Sequence, residues 1–65
     1  MIENEIFRAL ADPTRRAIFE KLAAGGMNAS ALRDGFDISQ PAMSQHLAVL
    51  RGAGLVSEER QGRFV

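Results

Sequence analysis

Residues 38–53 read Ile38-Ser39-Gln40-Pro41-Ala42-Met43-Ser44-Gln45-His46-Leu47-Ala48-Val49-Leu50-Arg51-Gly52-Ala53, and their spacing decides the fold. At about 3.6 residues per turn, Met43, Leu47 and Leu50 share one face, with Ala42, Val49 and Ala53 beside them. Such a stripe has to pack inward. The opposite face carries Gln40, Pro41, Ser44, Gln45, Ala48 and Arg51, with no carboxylate among them. An ordinary solvated helix face mixes Glu and Lys; this one does not. Ser39 is placed to cap the helix, Pro41 is tolerated in its first turn, and Gly54 ends it, which predicts a helix over 40–53.

Upstream, Asn28 is expected to cap a short helix over 29–34, and Gly35-Phe36-Asp37-Ile38 reads as a tight turn with Phe36 and Ile38 pointing inward. Two helices joined in this way form a helix-turn-helix, which leaves one face of the second helix free for the major groove of DNA. Further back, Ile2, Ile6 and Leu10 recur at four-residue spacing as the apolar stripe of a first helix. Asp12 and Pro13 open a second helix running to Ala24 and burying Ile18, Phe19 and Leu22. Gly25-Gly26 is expected to close it with positive-φ geometry.

Downstream, Leu55-Val56 starts an extended segment, Gln61-Gly62 signals a turn, and Arg63-Phe64-Val65 begins a return strand. The fold class is therefore mainly α, a winged helix-turn-helix of about four helices followed by a β-hairpin wing truncated in its second strand. Residues 1–65 form one DNA-binding domain, and the chain is expected to be a piece of a longer protein.

The length of 65 residues allows one small core. With no cysteine, thiolate metal sites and thiol redox sensing are excluded. The start, Met1-Ile2-Glu3-Asn4-Glu5, is acidic where a secretory signal is basic. No apolar run approaches the roughly 20 residues of a membrane span, so no membrane partner and a cytoplasmic location are expected. Net charge is zero, unlike many strongly basic nucleic-acid binders. The distribution matters more: from Ile38 to Ser57 there is no carboxylate, and Arg60 and Arg63 flank the glycine turn beyond it. That stretch can meet phosphate without like-charge repulsion.

Roles follow from donor and acceptor chemistry. Gln40 and Gln45 can offer amide forks to adenine, and Ser44 can bond several bases. Pro41 lies with them on the same face. Ser39 and the free N–H groups at the helix start can hold a phosphate, which Arg51 can also reach late in the helix. Arg60 and Arg63 suit a minor groove or backbone beside the wing. His46 has no partner at ligand spacing and reads as a structural or phosphate-contacting histidine. Arg15 and Arg16 read as phosphate contacts, as a solvated face, or as partners of Asp12 and Glu20. Met27 and Met43 read as core filler, and Glu58-Glu59 as a solvent-facing strand edge. No Ser/His/Asp set, glycine-rich phosphate loop or paired carboxylates are present, so no catalytic site, cofactor or metal is expected.

Three stretches together resemble ArsR-type (ArsR/SmtB) bacterial repressors: Leu10-Ala11-Asp12-Pro13-Thr14-Arg15-Arg16, the run from Ile38 to Leu47, and Leu50-Arg51-Gly52-Ala53-Gly54-Leu55-Val56. The resemblance spans Ile6 to Val65 and implies a homodimer on a partly palindromic operator near its own promoter, released by an effector. Metal-sensing members carry a Cys-x-Cys pair in the helix matching Ala29–Asp34; its absence aligns the chain with the cysteine-free branch. The resemblance also implies dimerisation through the first helix and a last helix beyond Val65. The alternative is a winged-helix protein-interaction module, which should show an aromatic or aliphatic anchor on the Gln40–Ala48 face.

Overall fold

The computed structural model describes residues 5–65, and of Gln61 the backbone alone. Four helices follow one another, α1 (Glu5–Ala11), α2 (Pro13–Ala24), α3 (Ala29–Arg33) and α4 (Gln40–Gly52). Two short strands, β1 (Met27–Asn28) and β2 (Arg63–Phe64), and a 3-10 turn at Arg60–Gly62 complete the chain.

Helix starts are set by side-chain caps. Asp12 Oδ1 accepts from the N–H groups of Thr14 at 2.8 Å and Arg15 at 3.1 Å, with Pro13 next to it where a missing N–H costs nothing. The Arg15 N–H bond is the main cause holding the Asp12 carboxyl below its ordinary 3.8. Partial desolvation opposes it, while the Thr14 N–H and the electrostatic pull of His46 and Arg15 reinforce it. Asn28 Oδ1 accepts from Ala31 N–H at 2.8 Å and opens α3, and Ser39 Oγ accepts from Ala42 N–H at 3.2 Å and opens α4. All three caps stand where the sequence places them.

Helix ends differ more. Gly25 closes α2 in extended geometry, with φ at 170°, rather than in the expected left-handed form. At the next glycine space is short: a Cβ on Gly26 would strike Val65 Cγ1 and come within 2.9 Å of the Arg63 guanidinium, so those side chains would have to shift. α4 stops at Gly52, one residue short of the expected 53, with Ala53 as its cap. Gly54, at φ 79°, turns the chain so that Leu55 N–H donates to Leu50 O at 3.0 Å.

β1 is absent from the sequence reading. It pairs antiparallel with β2, Met27 opposite Phe64 and Asn28 opposite Arg63. Asn28 thus serves as a strand residue and as the α3 cap. The outgoing limb meets the return strand at Ser57, Glu58 and Glu59, opposite Val65, Phe64 and Arg63. Ser57 and Val65 exchange N–H···O bonds at 2.9 and 3.0 Å, Glu59 N–H donates to Arg63 O at 2.6 Å, and Glu58 bridges to Phe64. Val56, just before it, is buried in the core.

One core joins these pieces: Ala9, Ile18, Leu22, Leu32, Met43, Leu47, Leu50, Val56 and Phe64 are all buried, and Leu10, Phe19, Met27, Phe36 and Ile38 pack against it. Two expectations about packing are corrected here. Of the proposed α1 stripe, Ile2 lies outside the described residues, Leu10 is half-buried, and Ile6 is 49% exposed. The helix instead buries Ala9, a side chain small enough for the close approach of α1 to α2 and α4. Val49 is likewise 42% exposed rather than packed.

Candidate nucleic-acid interface

The face of α4 opposite Met43, Leu47 and Leu50 is open to water along its whole length: Gln40, Pro41, Ser44, Gln45, Ala48 and Arg51 are all exposed. No aromatic or large aliphatic side chain interrupts them, so the face lacks the anchor of a protein-docking surface. Ser39, also exposed, spends its Oγ on the Ala42 N–H; Pro41 has no N–H and Met43 N–H donates to Ser39 O, so the Gln40 N–H is the first-turn donor left uncommitted at the positive end of the helix dipole.

The two glutamines are not equivalent. Arg33, from α3, donates through Nε to Ile38 O at 3.1 Å and through Nη1 to Gln40 Oε1 at 3.3 Å. It staples the turn of the helix-turn-helix and occupies the acceptor end of the Gln40 amide. A bidentate adenine contact needs that acceptor as well as the amide donor, so Gln45 is the glutamine with its fork uncommitted among the described hydrogen bonds. Arg33 was not singled out in the sequence; its place across a tight turn from Gln40 was the available signal.

His46 stands apart from this face. It is half-buried, and its Nδ1 lies 3.5 Å from Arg15 Nη1. Arg15 itself is not a solvated side chain. Its Nε donates to Ala9 O at 2.6 Å and its Nη2 to Arg8 O at 3.3 Å, so that one guanidinium closes the C-terminal end of α1 and touches α4. Its link to Asp12 runs through its backbone N–H, whereas Arg16 is exposed as expected. These contacts lie too far apart in the chain for periodicity to show.

Two further cations are engaged within the fold. Arg51 Nη1 pairs with Glu58 Oε1, both side chains about half exposed, so Glu58 is not merely a solvated strand edge. Arg63, exposed, lies with its guanidinium against Gly26, while Arg60 is exposed at the start of the wing turn. Gly62, at φ 75°, makes that turn possible. Between α4 and the wing runs an open cleft of about 320 Å3 lined by Ser44, Leu47, Ala48, Arg51, Glu58 and Gly62, among others. No group of three or more His, Cys, Asp or Glu able to hold a metal occurs among the described residues. Nor is any of the described helices long and apolar enough to cross a membrane.

A helix-turn-helix with a carboxylate-free second helix and a hairpin turn flanked by Arg60 and Arg63 beside it defines a winged-helix DNA-binding domain. Comparison with known proteins agrees: residues 10–59 match the family described as helix-turn-helix domain. The chain is 42% identical to the transcriptional repressor SdpR of Bacillus subtilis over 95% of its own length and 69% of that protein. It is 44% identical to the HTH-type transcriptional repressor SmtB of Mycobacterium tuberculosis, over 95% of its length and 46% of the repressor's. The crystal structure of an ArsR family transcriptional regulator superposes with a TM-score of 0.83 at 41% identity, covering 94% of this chain and 67% of that one. The chain belongs to the ArsR/SmtB-type helix-turn-helix regulators, a family of DNA-binding proteins and not of enzymes.

Proposed function

We propose that this domain acts in the cytoplasm as one half of a dimeric repressor that lays α4 in the major groove of a partly palindromic operator near its own promoter. The observation that carries the reading is the exposed, carboxylate-free face of α4. Gln45 and Ser44 read base edges, Gln40 contributes its amide donor, and Pro41 and Ala48 allow close approach. The Ser39 hydroxyl and the Gln40 N–H hold a phosphate. Arg60 and Arg63 meet the backbone or minor groove next to the wing. His46 acts through Arg15, setting α4 against the rest of the fold, instead of touching DNA. The names of SdpR and SmtB, both repressors, support repression as the outcome.

Titration of a promoter duplex over a range of salt concentrations, with wild type and Gln45→Ala, tests the proposal. Affinity should fall steeply with salt, because cations that meet phosphate release counterions. Gln45→Ala should cost about 1–3 kcal/mol and relax preference at one base position. An equal loss on promoter and scrambled DNA would remove Gln45 from base reading, and a flat salt dependence would remove the DNA reading itself.

A further inference from the structure

The Arg51–Glu58 pair lies on the surface that DNA would cover. Arg51 occupies the last turn of α4 on the same outward face as Ser44 and Ala48, and all three line the cleft between α4 and the wing. Glu58 reaches it from the other wall. Its position is fixed by backbone pairing: Glu58 bridges to Phe64, which is buried, and the neighbouring Ser57 and Glu59 bond to Val65 and Arg63. The Glu58 backbone is therefore fixed so that its carboxylate stands beside one cation of an otherwise carboxylate-free reading face.

A carboxylate and a phosphate present the same pair of acceptor oxygens to a guanidinium. The Arg51 Nη1 that Glu58 now holds is the donor for which the two compete. The existing pair is half exposed, and such pairs are weak, so a phosphate brought close enough can take Arg51 over. Close approach is what α4 seated in a matching groove provides. A loosely bound, electrostatically held complex does not, and there Arg51 stays with Glu58.

We infer that Glu58 is a specificity-determining residue: it withholds Arg51 from phosphate except where α4 is seated on a matching sequence. The inference rests on the DNA-binding reading above. In that arrangement Arg51 adds a phosphate contact to the specific complex and none to the non-specific one, which widens the affinity ratio between them.

Glu58→Gln, nearly isosteric, tests this in the wild-type and Arg51→Ala backgrounds, with a promoter duplex and a scrambled duplex of the same composition. On scrambled DNA, Glu58→Gln should steepen the salt slope by about 0.9, one added phosphate contact. That is about a threefold to fourfold larger loss of affinity across a fourfold rise in salt. The promoter slope should change less, so the ratio between the two duplexes narrows. With Arg51 replaced by Ala, the effect of Glu58→Gln on the scrambled slope should vanish. An unchanged scrambled slope overturns the inference. So does an equal steepening without Arg51, which would make Glu58 a source of general repulsion only. Weaker binding by Glu58→Gln on both duplexes also overturns it, because the pair would then be a clasp needed intact by DNA binding. Wild type failing to bind either duplex takes down the DNA reading and this inference together, whereas a discriminating wild type with an indifferent Glu58→Gln sinks the inference alone.

Discussion

Asn28 is the residue on which the most local structure converges. Its Oδ1 takes the Ala31 N–H at 2.8 Å, starting a helix of only five residues, while its backbone stands opposite Arg63 in the two-stranded sheet. A helix this short has little cooperative stability of its own and depends on its cap and on Leu32, which is fully buried. Asn28→Ala removes the cap and leaves the strand pairing. The expected cost is about 1 kcal/mol, in a range of 0.5–2. For a domain near this size that lowers the melting temperature by about 4–8 °C, which thermal denaturation followed by circular dichroism checks. Asn28→Ser should recover most of the loss; if it melts with Asn28→Ala, the side-chain oxygen is not what holds α3.

Among the elements, α1 is secured in a way that differs from the others. α2, α3 and α4 each contribute at least one large apolar side chain to the core, whereas α1 buries only Ala9. The Arg15 guanidinium supplies what apolar burial does not, holding the carbonyls of Ala9 and Arg8 and reaching His46 on α4. Arg15→Ala is expected to cost about 1.5–2 kcal/mol, the lower part of the range for hydrogen bonds to charged groups, because the site is only half-buried. Amide hydrogen exchange should then show α1 losing protection while α4 keeps most of its own. Equal loss in both helices would mean that Arg15 supports the core as a whole.

This helix also shows where legibility stopped. Caps and the α4 stripe were readable because a cap reaches three residues and a stripe repeats every three or four. The helix-turn-helix, the Asp12, Asn28 and Ser39 caps and the open face of α4 were all found that way. β1 was not, since two residues cannot display alternation and Asn28 already had a role. The pairs Arg15–His46, Arg33–Gln40 and Arg51–Glu58 join residues 31, 7 and 7 positions apart, which only the folded chain brings together. For the candidate site this matters directly. The sequence identified its residue types, but not that Gln40 and Arg51 are already partnered or that His46 faces Arg15.

At the scale of the whole molecule, the unpartnered apolar surface has a definite place. Phe7 is 77% exposed and Ile6 49%, both on α1, and Val49 is 42% exposed on α4, which packs beside α1. A groove of about 450 Å3 lined by Glu5, Arg8, Ala9, Arg15, Val49, Gly52 and Ala53 runs between these helices. It lies away from the cleft that α4 shares with the wing, so both can be covered at once. In the proposed dimer, α1 meets its symmetry mate, and two α4 helices must stand about one DNA turn apart, roughly 34 Å. Phe7→Glu places a charge in the apolar contact and, by two-fold symmetry, against its own copy. Sedimentation velocity should show the variant shifted toward monomer. Affinity for a promoter duplex with both half-sites should drop at least tenfold, as the second binding event ceases to be intramolecular. Affinity for a single half-site should stay within about twofold, because Phe7 is remote from α4's reading face. If the variant sediments as wild type does, α1 is not the dimer contact, and if half-site binding falls equally, Phe7 acts on the fold instead.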